Sequence, residues 1–154
     1  MISIEKILHP TDFSANSNYA LKYACAFAAH FGAELHLLNV VADLAMVTLP
    51  PADSFLPEGY YENARKHAEA ELAKLPPAKL AGKTRIVKQA VDGDPFLEII
   101  RYAKKNNIDL IIMGTHGYSG LTHLVMGSVA EKVVRKSPCP VLTVHPENHE
   151  FVIP

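Results

Sequence analysis

A glycine-rich segment in the last third of the chain carries the spacing best suited to chemistry. It reads Gly114-Thr115-His116-Gly117, then nine residues, then Gly127-Ser128. Glycine has no Cβ, so successive backbone N–H groups can point into one concavity, which is the arrangement that holds phosphate oxygens. A helix that begins at Ser128 would add the positive end of its dipole to the same place. The segment therefore predicts a phosphate-binding loop.

The same residue types also allow a purely structural interpretation. Ser128-Val129-Ala130-Glu131 matches a capping box, in which the serine and glutamate side chains satisfy the first N–H groups of their own helix. Asp12 precedes another predicted helix and is suited either to a ligand or to capping that helix, a task that Ser14 would share. From the residues alone, both alternatives stay open.

Other catalytic and metal-binding patterns do not occur in the sequence. It contains no Gly-x-x-x-x-Gly-Lys-Ser/Thr segment, no Gly-x-Gly-x-x-Gly and no Gly-x-Ser-x-Gly. The eight histidines include four that are scattered without the spacing of metal ligands: His9, His30, His36 and His67. His116 lies inside the glycine loop, but no carboxylate is identified that would orient it as a general base. We predict no catalytic residue and no dedicated metal site.

Composition and charge exclude several classes of protein. With 154 residues, 49% of them hydrophobic, the chain suits one domain over residues 1–154. A net charge of −1 provides no basic stripe for nucleic acid, and Lys132, Arg135 and Lys136 are better placed to complement a helix dipole. No apolar run is long enough for a membrane span, and the first residues do not resemble a signal peptide. We expect a cytoplasmic protein that binds neither nucleic acid nor a membrane.

Short apolar runs alternate along the chain with segments of helical period. The runs predict strands at 4–8, 35–41, 84–91, 110–113 and 141–144, with helices between them. Gly32 would end the first helix, and Asp94, followed by proline, would cap the helix after the third strand. This alternation implies right-handed crossovers and an α/β fold, a single five-stranded parallel sheet with helices on both faces. Three prolines mark residues 42–58 as an irregular insertion. In such sheets ligands bind beyond the carboxyl ends of the strands, at the topological switch point.

The spacing of the glycine loop resembles the signature of the ATP-binding branch of the universal stress protein family. Three other segments resemble that family's pattern in the same order: Pro10-Thr11-Asp12-Phe13-Ser14, Gly93-Asp94-Pro95, and Ser137-Pro138-Cys139-Pro140-Val141-Leu142. The resemblance covers essentially the whole chain and guides least over residues 42–59.

The resemblance implies an ATP site whose residues can be assigned one by one. Asp12 would face the ribose and adenine end, and Val40 would meet the adenine through its backbone. Met113 and Gly114 would lie beneath the nucleotide. The phosphate chain would contact Gly117, Gly127, Ser128 and Val129. A Mg²⁺ or Mn²⁺ ion would be brought mainly by the phosphates, because hard cations prefer oxygen ligands and the loop has no carboxylate cluster.

The functional prediction is a stress-response protein that binds ATP and acts as a nucleotide-dependent switch or binding module. The alternative is an enzyme, either a slow ATPase or an adenylyl transferase, since related folds host such chemistry. We also predict a homodimer formed by the last strand, Val141, Leu142, Thr143 and Val144. Pro140 lacks an N–H and suits the start of an edge strand, an exposed edge seeks a partner, and the resemblance implies pairing there.

Overall fold

The computed structural model describes residues 2–42, 58–116 and 126–145. Its strands are β1 (Lys6–Pro10), β2 (Glu34–Ala42), β3 (Ile86–Gly93), β4 (Leu110–Gly114) and β5 (Val141–Val144). Its helices are α1 (Ala15–Phe31), α2 (Tyr60–Ala73), the single turn α3 (Ala78–Ala81), α4 (Pro95–Lys105) and α5 (Ser128–Lys136).

The strands form one parallel sheet in the order β3-β2-β1-β4-β5. The chain begins at the centre, moves outward through β2 to β3, and then crosses to the other side of β1 for β4 and β5. The predicted five-stranded α/β fold is therefore confirmed. The direction of winding reverses between β1 and β4, which makes that pair the topological switch point.

Both faces of the sheet are covered, as a parallel sheet requires. Neighbouring strand residues point to opposite faces, so Ile7 packs with α1 and α2 while Leu8 packs with α4 and α5. In β4, Ile112 packs in the core on the side of α1 and α2, and Ile111 packs in the core on the side of α4 and α5. This two-sided burial explains why the central strands are continuous apolar runs instead of alternating ones.

The helix ends follow local sequence signals. Ser14 Oγ accepts a hydrogen bond from the N–H of Ser17 at 3.1 Å and begins α1, which ends at Gly32 in the left-handed conformation with a φ of 66°. Asp94 Oδ1 accepts from the N–H of Leu97 at 2.9 Å and begins α4. These predicted helix boundaries are confirmed.

Several details differ from the sequence prediction, among them the start of β1 at Lys6 and the span of β3, Ile86–Gly93. β1 does not end at Leu8, because its pairing with β2 continues to Pro10, opposite Leu38. Ala42 belongs to β2, where it pairs with Gly93, and not to the insertion. The short α3 was missed because four residues carry no helical period. Residues 43–57 of the predicted insertion lie outside the described ranges, and within those ranges no helix is long and apolar enough to cross a membrane.

Candidate functional site

Pro10 ends the pairing of β1 with β4 and so opens the sheet. The register between these strands covers only Ile7 opposite Leu110 and Leu8 opposite Ile111. The next donor in a regular parallel ladder would be the N–H of residue 10, which proline lacks. The Ile112 carbonyl instead accepts a hydrogen bond from His9 Nδ1, at 2.8 Å. Beyond this point β1 and β4 are no longer paired, and a cleft lies between their carboxyl ends.

His9 beneath this cleft is a core residue with no solvent exposure. Burial lowers its pKa from 6.5 to about 4, although the Ile112 carbonyl and the charge of Asp12 act in the opposite direction. The ring is therefore neutral near pH 7, and because a carbonyl only accepts, the proton is on Nδ1. Ser17 Oγ lies 3.5 Å from the other ring nitrogen. His9 acts as a replacement for a missing backbone donor.

The cleft at the switch point has a volume of about 490 Å³, within the range of small-molecule sites. Its lining includes seven of the residues predicted to bind nucleotide: Asp12, Val40, Met113, Gly114, Gly127, Ser128 and Val129. They come from four separate parts of the chain, which the fold brings together. The eighth predicted residue, Gly117, lies outside the described residues.

Val40 presents backbone groups to the cleft because β2 is longer than β1. Alternate residues of a strand direct their N–H and C=O groups to opposite sides. The Leu38 carbonyl faces β1, where it accepts from the N–H of Thr11 at 2.8 Å. Val40 is two residues further on and faces the same side, beyond the last paired residue of β1. The N–H and C=O groups of Val40 are thus directed to the side where β1 no longer pairs with β2.

Apolar side chains form the wall on the β2 side of the cleft. Leu38 and Val40 contribute from β2, and Pro95 and Ile99 from the first turn and a half of α4. No binding role was predicted from the sequence for Pro95 or Ile99. The sequence did contain a pattern that could have identified them. Ile99 follows the Asp94 cap at helical spacing, and a helix that starts at the carboxyl end of β3 must pass this edge of the sheet. A flat apolar group fits against such a wall.

The loop after β1 is held in place by buried polar contacts. Asn39 Nδ2 donates to the Thr11 carbonyl at 2.8 Å, and Ser17 Oγ donates to Thr11 Oγ1 at 2.8 Å. Asp12 Oδ1 accepts from the N–H of Ser14 at 3.0 Å. Since Ser14 supplies the cap of α1, Asp12 is not its N-cap residue. Its carboxylate is fixed at the rim of the cleft by the turn that it completes.

The start of α5 shows whether Ser128 caps its own helix. The N-cap residue is Gly127, which offers no side-chain hydrogen bond, and Ser128 is the first helical residue. Glu131 does not turn back to the helix start but pairs with Arg135 at 2.9 Å. The capping-box interpretation is therefore wrong: its serine is one position too late to cap. Ser128 lines the cleft, and the Gly127 N–H donates to the Thr115 carbonyl at 2.8 Å, which ties α5 to the end of β4.

Gly114 allows β4 to approach α1 closely. A Cβ at this position would lie 3.3 Å from the His116 carbonyl oxygen and 3.4 Å from that of Asn16. Both contacts would be tight, and both are with backbone atoms, which shift less readily than the end of a side chain. Glycine therefore favours close packing at the floor of the cleft.

His116 lines the cleft through a ring that is held at one nitrogen. Its Nδ1 lies 2.9 Å from Thr115 Oγ1, while Nε2 is buried without a hydrogen-bond partner among the described residues. Of the described residues around the cleft, Asp12 has the only carboxylate, and none is a lysine or arginine. Within the same ranges, no three His, Cys, Asp or Glu residues are grouped so that they could hold a metal ion. The site can offer hydrogen bonds and an apolar wall, but its described part lacks an assembled catalytic group.

Comparison with known proteins agrees with this architecture. The family model described as the universal stress protein family matches residues 3–145. The universal stress protein MJ0531 of Methanocaldococcus jannaschii is 36% identical over 140 residues, 91% of this chain and 81% of the relative. The solved structure of MJ0577 has a TM-score of 0.72 at 32% identity and covers 96% of this chain and 99% of its own. A universal stress protein in complex with cAMP has a TM-score of 0.63 at 25% identity, covering 95% and 100%.

Proposed function

This chain belongs to the universal stress protein family, and from that premise we propose that it is a cytoplasmic stress-response protein that binds ATP and acts as a nucleotide-dependent switch or binding module. The observation that carries the proposal is the meeting of residues 12, 40, 113–114 and 127–129 around one cleft at the switch point. Nothing in local sequence brings these residues together. A common ligand is a sufficient reason for their convergence.

In the proposed complex the adenine lies against Leu38 and Ile99 and meets the backbone of Val40. An N–H beside a C=O matches the acceptor N1 and the amino group of adenine, whereas guanine presents a donor and an acceptor in reversed order. Asp12 stands at the ribose. This geometry supports ATP over GTP.

The phosphates lie toward the start of α5. Gly127, Val129 and the predicted loop residue Gly117 contribute backbone N–H groups, and Ser128 adds its hydroxyl. A Mg²⁺ or Mn²⁺ ion arrives with the phosphates and neutralises part of their charge. The cAMP complex of a related universal stress protein supports an adenine nucleotide in a fold of this kind.

We further propose a homodimer through the outer edge of β5. β5 is an end strand of the sheet, and the four residues 141–144 have only β4 as a strand neighbour among the described strands. Tyr19 and Tyr23 of α1 border a depression beside Leu142 and Val144. An apolar edge with an aromatic flank is suited to pairing with a second copy.

Calorimetry and nucleotide analysis test the binding function together. In the first experiment, protein purified without added nucleotide is denatured and any ligand that it releases is identified. In the second, protein stripped of its bound nucleotide is titrated with ATP and with GTP. We expect ATP to bind at least about tenfold more tightly than GTP, a difference of about 1.4 kcal/mol. Failure of stripped, folded protein to bind any adenine nucleotide would reject the function.

Turnover separates a binding module from an enzyme. We expect ATP hydrolysis far below the roughly 1–100 per second of kinases, because binding substrate and transition state equally does not accelerate chemistry. His116→Ala should leave the ATP affinity within a few-fold and change the residual rate little. Many turnovers per second in the wild type, lost in His116→Ala while binding persists, would establish the enzyme instead.

A further inference from the structure

Helix α1 carries four aromatic side chains along one side. They follow one another at four-residue steps, the spacing of neighbours on a helix surface: Tyr19, Tyr23, Phe27 and Phe31. The ring centroids of Tyr19 and Tyr23 are 5.6 Å apart, and those of Phe27 and Phe31 are 6.0 Å apart. Tyr23 is 41% exposed and Phe31 is 44% exposed. This aromatic stripe is about 18 Å long and presents apolar surface to solvent.

One end of the aromatic stripe lies beside the last strand. Tyr19 and Tyr23 line a depression of about 310 Å³ together with residues 142–144 of β5 and with His145. Pairing of β5 with a second copy would use the outward backbone groups of that strand, whereas the stripe belongs to a helix that covers one face of the sheet. The proposed homodimer therefore does not by itself account for the stripe.

The chain continues past His145 with a segment of matching chemistry. The match to the family model ends at residue 145, so residues 146–154 lie beyond the part that the family shares. They also lie outside the described residues, and their sequence includes three consecutive apolar residues, Phe151-Val152-Ile153. Leaving such a run in water is unfavourable. An aromatic surface on the same chain is a suitable place to bury it.

The charges of the segment and the stripe are complementary. The segment contains two acids, Glu147 and Glu150, and no lysine or arginine. Beside the stripe Lys22 is exposed, and its Nζ lies 5.0 Å from the centre of the Tyr19 ring. A carboxylate of the segment would therefore meet a cation next to the rings. Because an exposed ion pair contributes little, this attraction orients the segment while apolar burial holds it.

The segment is long enough to cover the stripe. It follows His145, which lines the depression that the stripe borders. Residues 146–151 span at most about 20 Å when extended, which matches the stripe length of about 18 Å. Pro146 and Asn148 are residue types that favour turns, so the chain can reverse direction after β5. Phe151 can therefore reach the rings of its own chain.

We propose that residues 151–153 pack on the aromatic stripe of their own chain and that the acids before them lie beside Lys22. The docked segment joins β5 to α1 and covers apolar surface that α1 otherwise exposes. The depression and the nucleotide cleft share no lining residue. The inference is therefore independent of the proposed function.

The chain contains no tryptophan, so a single introduced one reports on the segment. In Phe151→Trp the indole should emit at shorter wavelength than in Asn148→Trp, a matched control at a polar position of the same segment. Acrylamide should quench it at least about fivefold less, because burial of an aromatic side chain favours the docked form about tenfold or more. Urea should make the two spectra alike. Equal quenching of the two native variants would overturn the inference.

A second substitution tests where the tryptophan of Phe151→Trp docks. Tyr23→Glu places a charge within the apolar contact and should remove most of the protection from acrylamide. Leu97→Glu places the same charge on an exposed position of α4, on the opposite face of the sheet, and should leave the protection unchanged. Equal effects of the two substitutions, with thermal unfolding showing both proteins folded, would contradict docking on the stripe.

A mixing experiment distinguishes the stripe of the same chain from that of a second copy. Phe151→Trp is unfolded in urea with a large excess of Tyr23→Glu, a chain without tryptophan, and the two are refolded together. Docking within one chain keeps the indole protected, because the chain that carries it retains Tyr23. Loss of protection in the mixture would assign the contact to a second copy and overturn the inference.

Discussion

Ser128 and Asp94 stand at the starts of two helices but do different work there. The Asp94 carboxylate accepts a hydrogen bond from the Leu97 N–H and caps α4, whereas Ser128 is already inside α5 and lines the cleft. We therefore expect a substitution of Asp94 to affect stability and a substitution of Ser128 to affect nucleotide binding.

Ser128→Ala should weaken ATP binding without destabilising the fold. Loss of one hydrogen bond to a charged phosphate corresponds to about 1.5 kcal/mol, or roughly tenfold in affinity. The free energy of unfolding in urea should stay within about 0.5 kcal/mol of the wild type.

Asp94→Ala is the matched control, because it removes a true cap and should cost about 1 kcal/mol of stability. If Ser128→Ala were as destabilising as Asp94→Ala, the hydroxyl would have to be reassigned to the helix.

His9 makes the stability of the fold sensitive to acid. Its pKa is about 4 when buried and 6.5 when exposed to solvent, so between these values the unfolded chain binds the proton more readily. The contribution of neutral His9 is complete above about pH 6.5 and is lost as the pH falls toward 4, a change of up to about 3 kcal/mol.

Urea unfolding at neutral pH and near pH 4.5 should show this loss, and His9→Gln should show a smaller one, because glutamine cannot take up the proton. His36 adds to the loss in both proteins, since burial also lowers its pKa. An identical pH dependence in wild type and His9→Gln would show that the burial of His9 does not govern acid unfolding.

The extra length of β2 positions two sides of the cleft. Past the end of β1 it directs the backbone of Val40 toward the cleft, and Asn39 Nδ2 donates to the Thr11 carbonyl at 2.8 Å. The loop that carries Asp12 is therefore attached to β2 as well as to β1. This contact couples the geometry of the site to the packing of the sheet.

Asn39→Leu should lower both the unfolding free energy and the affinity for nucleotide. The buried Thr11 carbonyl would lose its side-chain donor, at a cost of about 1–3 kcal/mol, and the released loop would move Asp12. We expect an affinity loss of about fivefold or more.

Asn106→Leu provides the comparison, since Asn106 Nδ2 makes a similar bond to the Tyr102 carbonyl at 3.0 Å but lies at the other end of α4. Asn106→Leu should lower the free energy of unfolding and leave the nucleotide affinity unchanged. A nucleotide affinity that is unchanged in Asn39→Leu would show that the Thr11 contact does not position the site.

The complete sheet has two edges of different character. β3 borders one edge, with exposed Lys88 and Gln89 on its surface, and β5 borders the other with the apolar sequence Val141-Leu142-Thr143-Val144. Charged or polar residues discourage edge pairing, whereas an apolar edge favours it. The asymmetry supports association through β5.

Leu142→Lys should shift the protein from dimer to monomer. A lysine on the paired edge would place two like charges across the two-fold axis. Sedimentation should give about twice the 16.9 kDa chain mass for the wild type and the chain mass for the variant.

Leu97→Lys, on an exposed position of α4 that is 44% accessible, should remain dimeric. A wild type that sediments as a monomer at micromolar concentration, or a Leu142→Lys variant as dimeric as Leu97→Lys, would refute this interface.

Signals that act within a few residues could be interpreted from the sequence. The Ser14 and Asp94 caps, the Gly32 stop and the bounds of β5 were predicted correctly because each depends on local backbone geometry. The fold class followed as well, since alternating strands and helices allow few arrangements. The predicted nucleotide-binding residues were named through a resemblance to a family, and the sequence by itself did not determine how they meet.

Long-range pairing determined the rest. Only the register of β1 with β4 shows that Pro10 interrupts the ladder and that His9, to which the sequence assigned no function, supplies the missing donor. Whether Ser128 caps α5 stayed open in the sequence because a shift of one residue at the helix start decides it, and the hydrogen bond from Gly127 to Thr115 fixes that start. Local sequence determined which segments form helices and strands. Strand pairing determined which of their ends lie side by side, because a parallel strand takes its hydrogen-bond partners from residues far away in the chain.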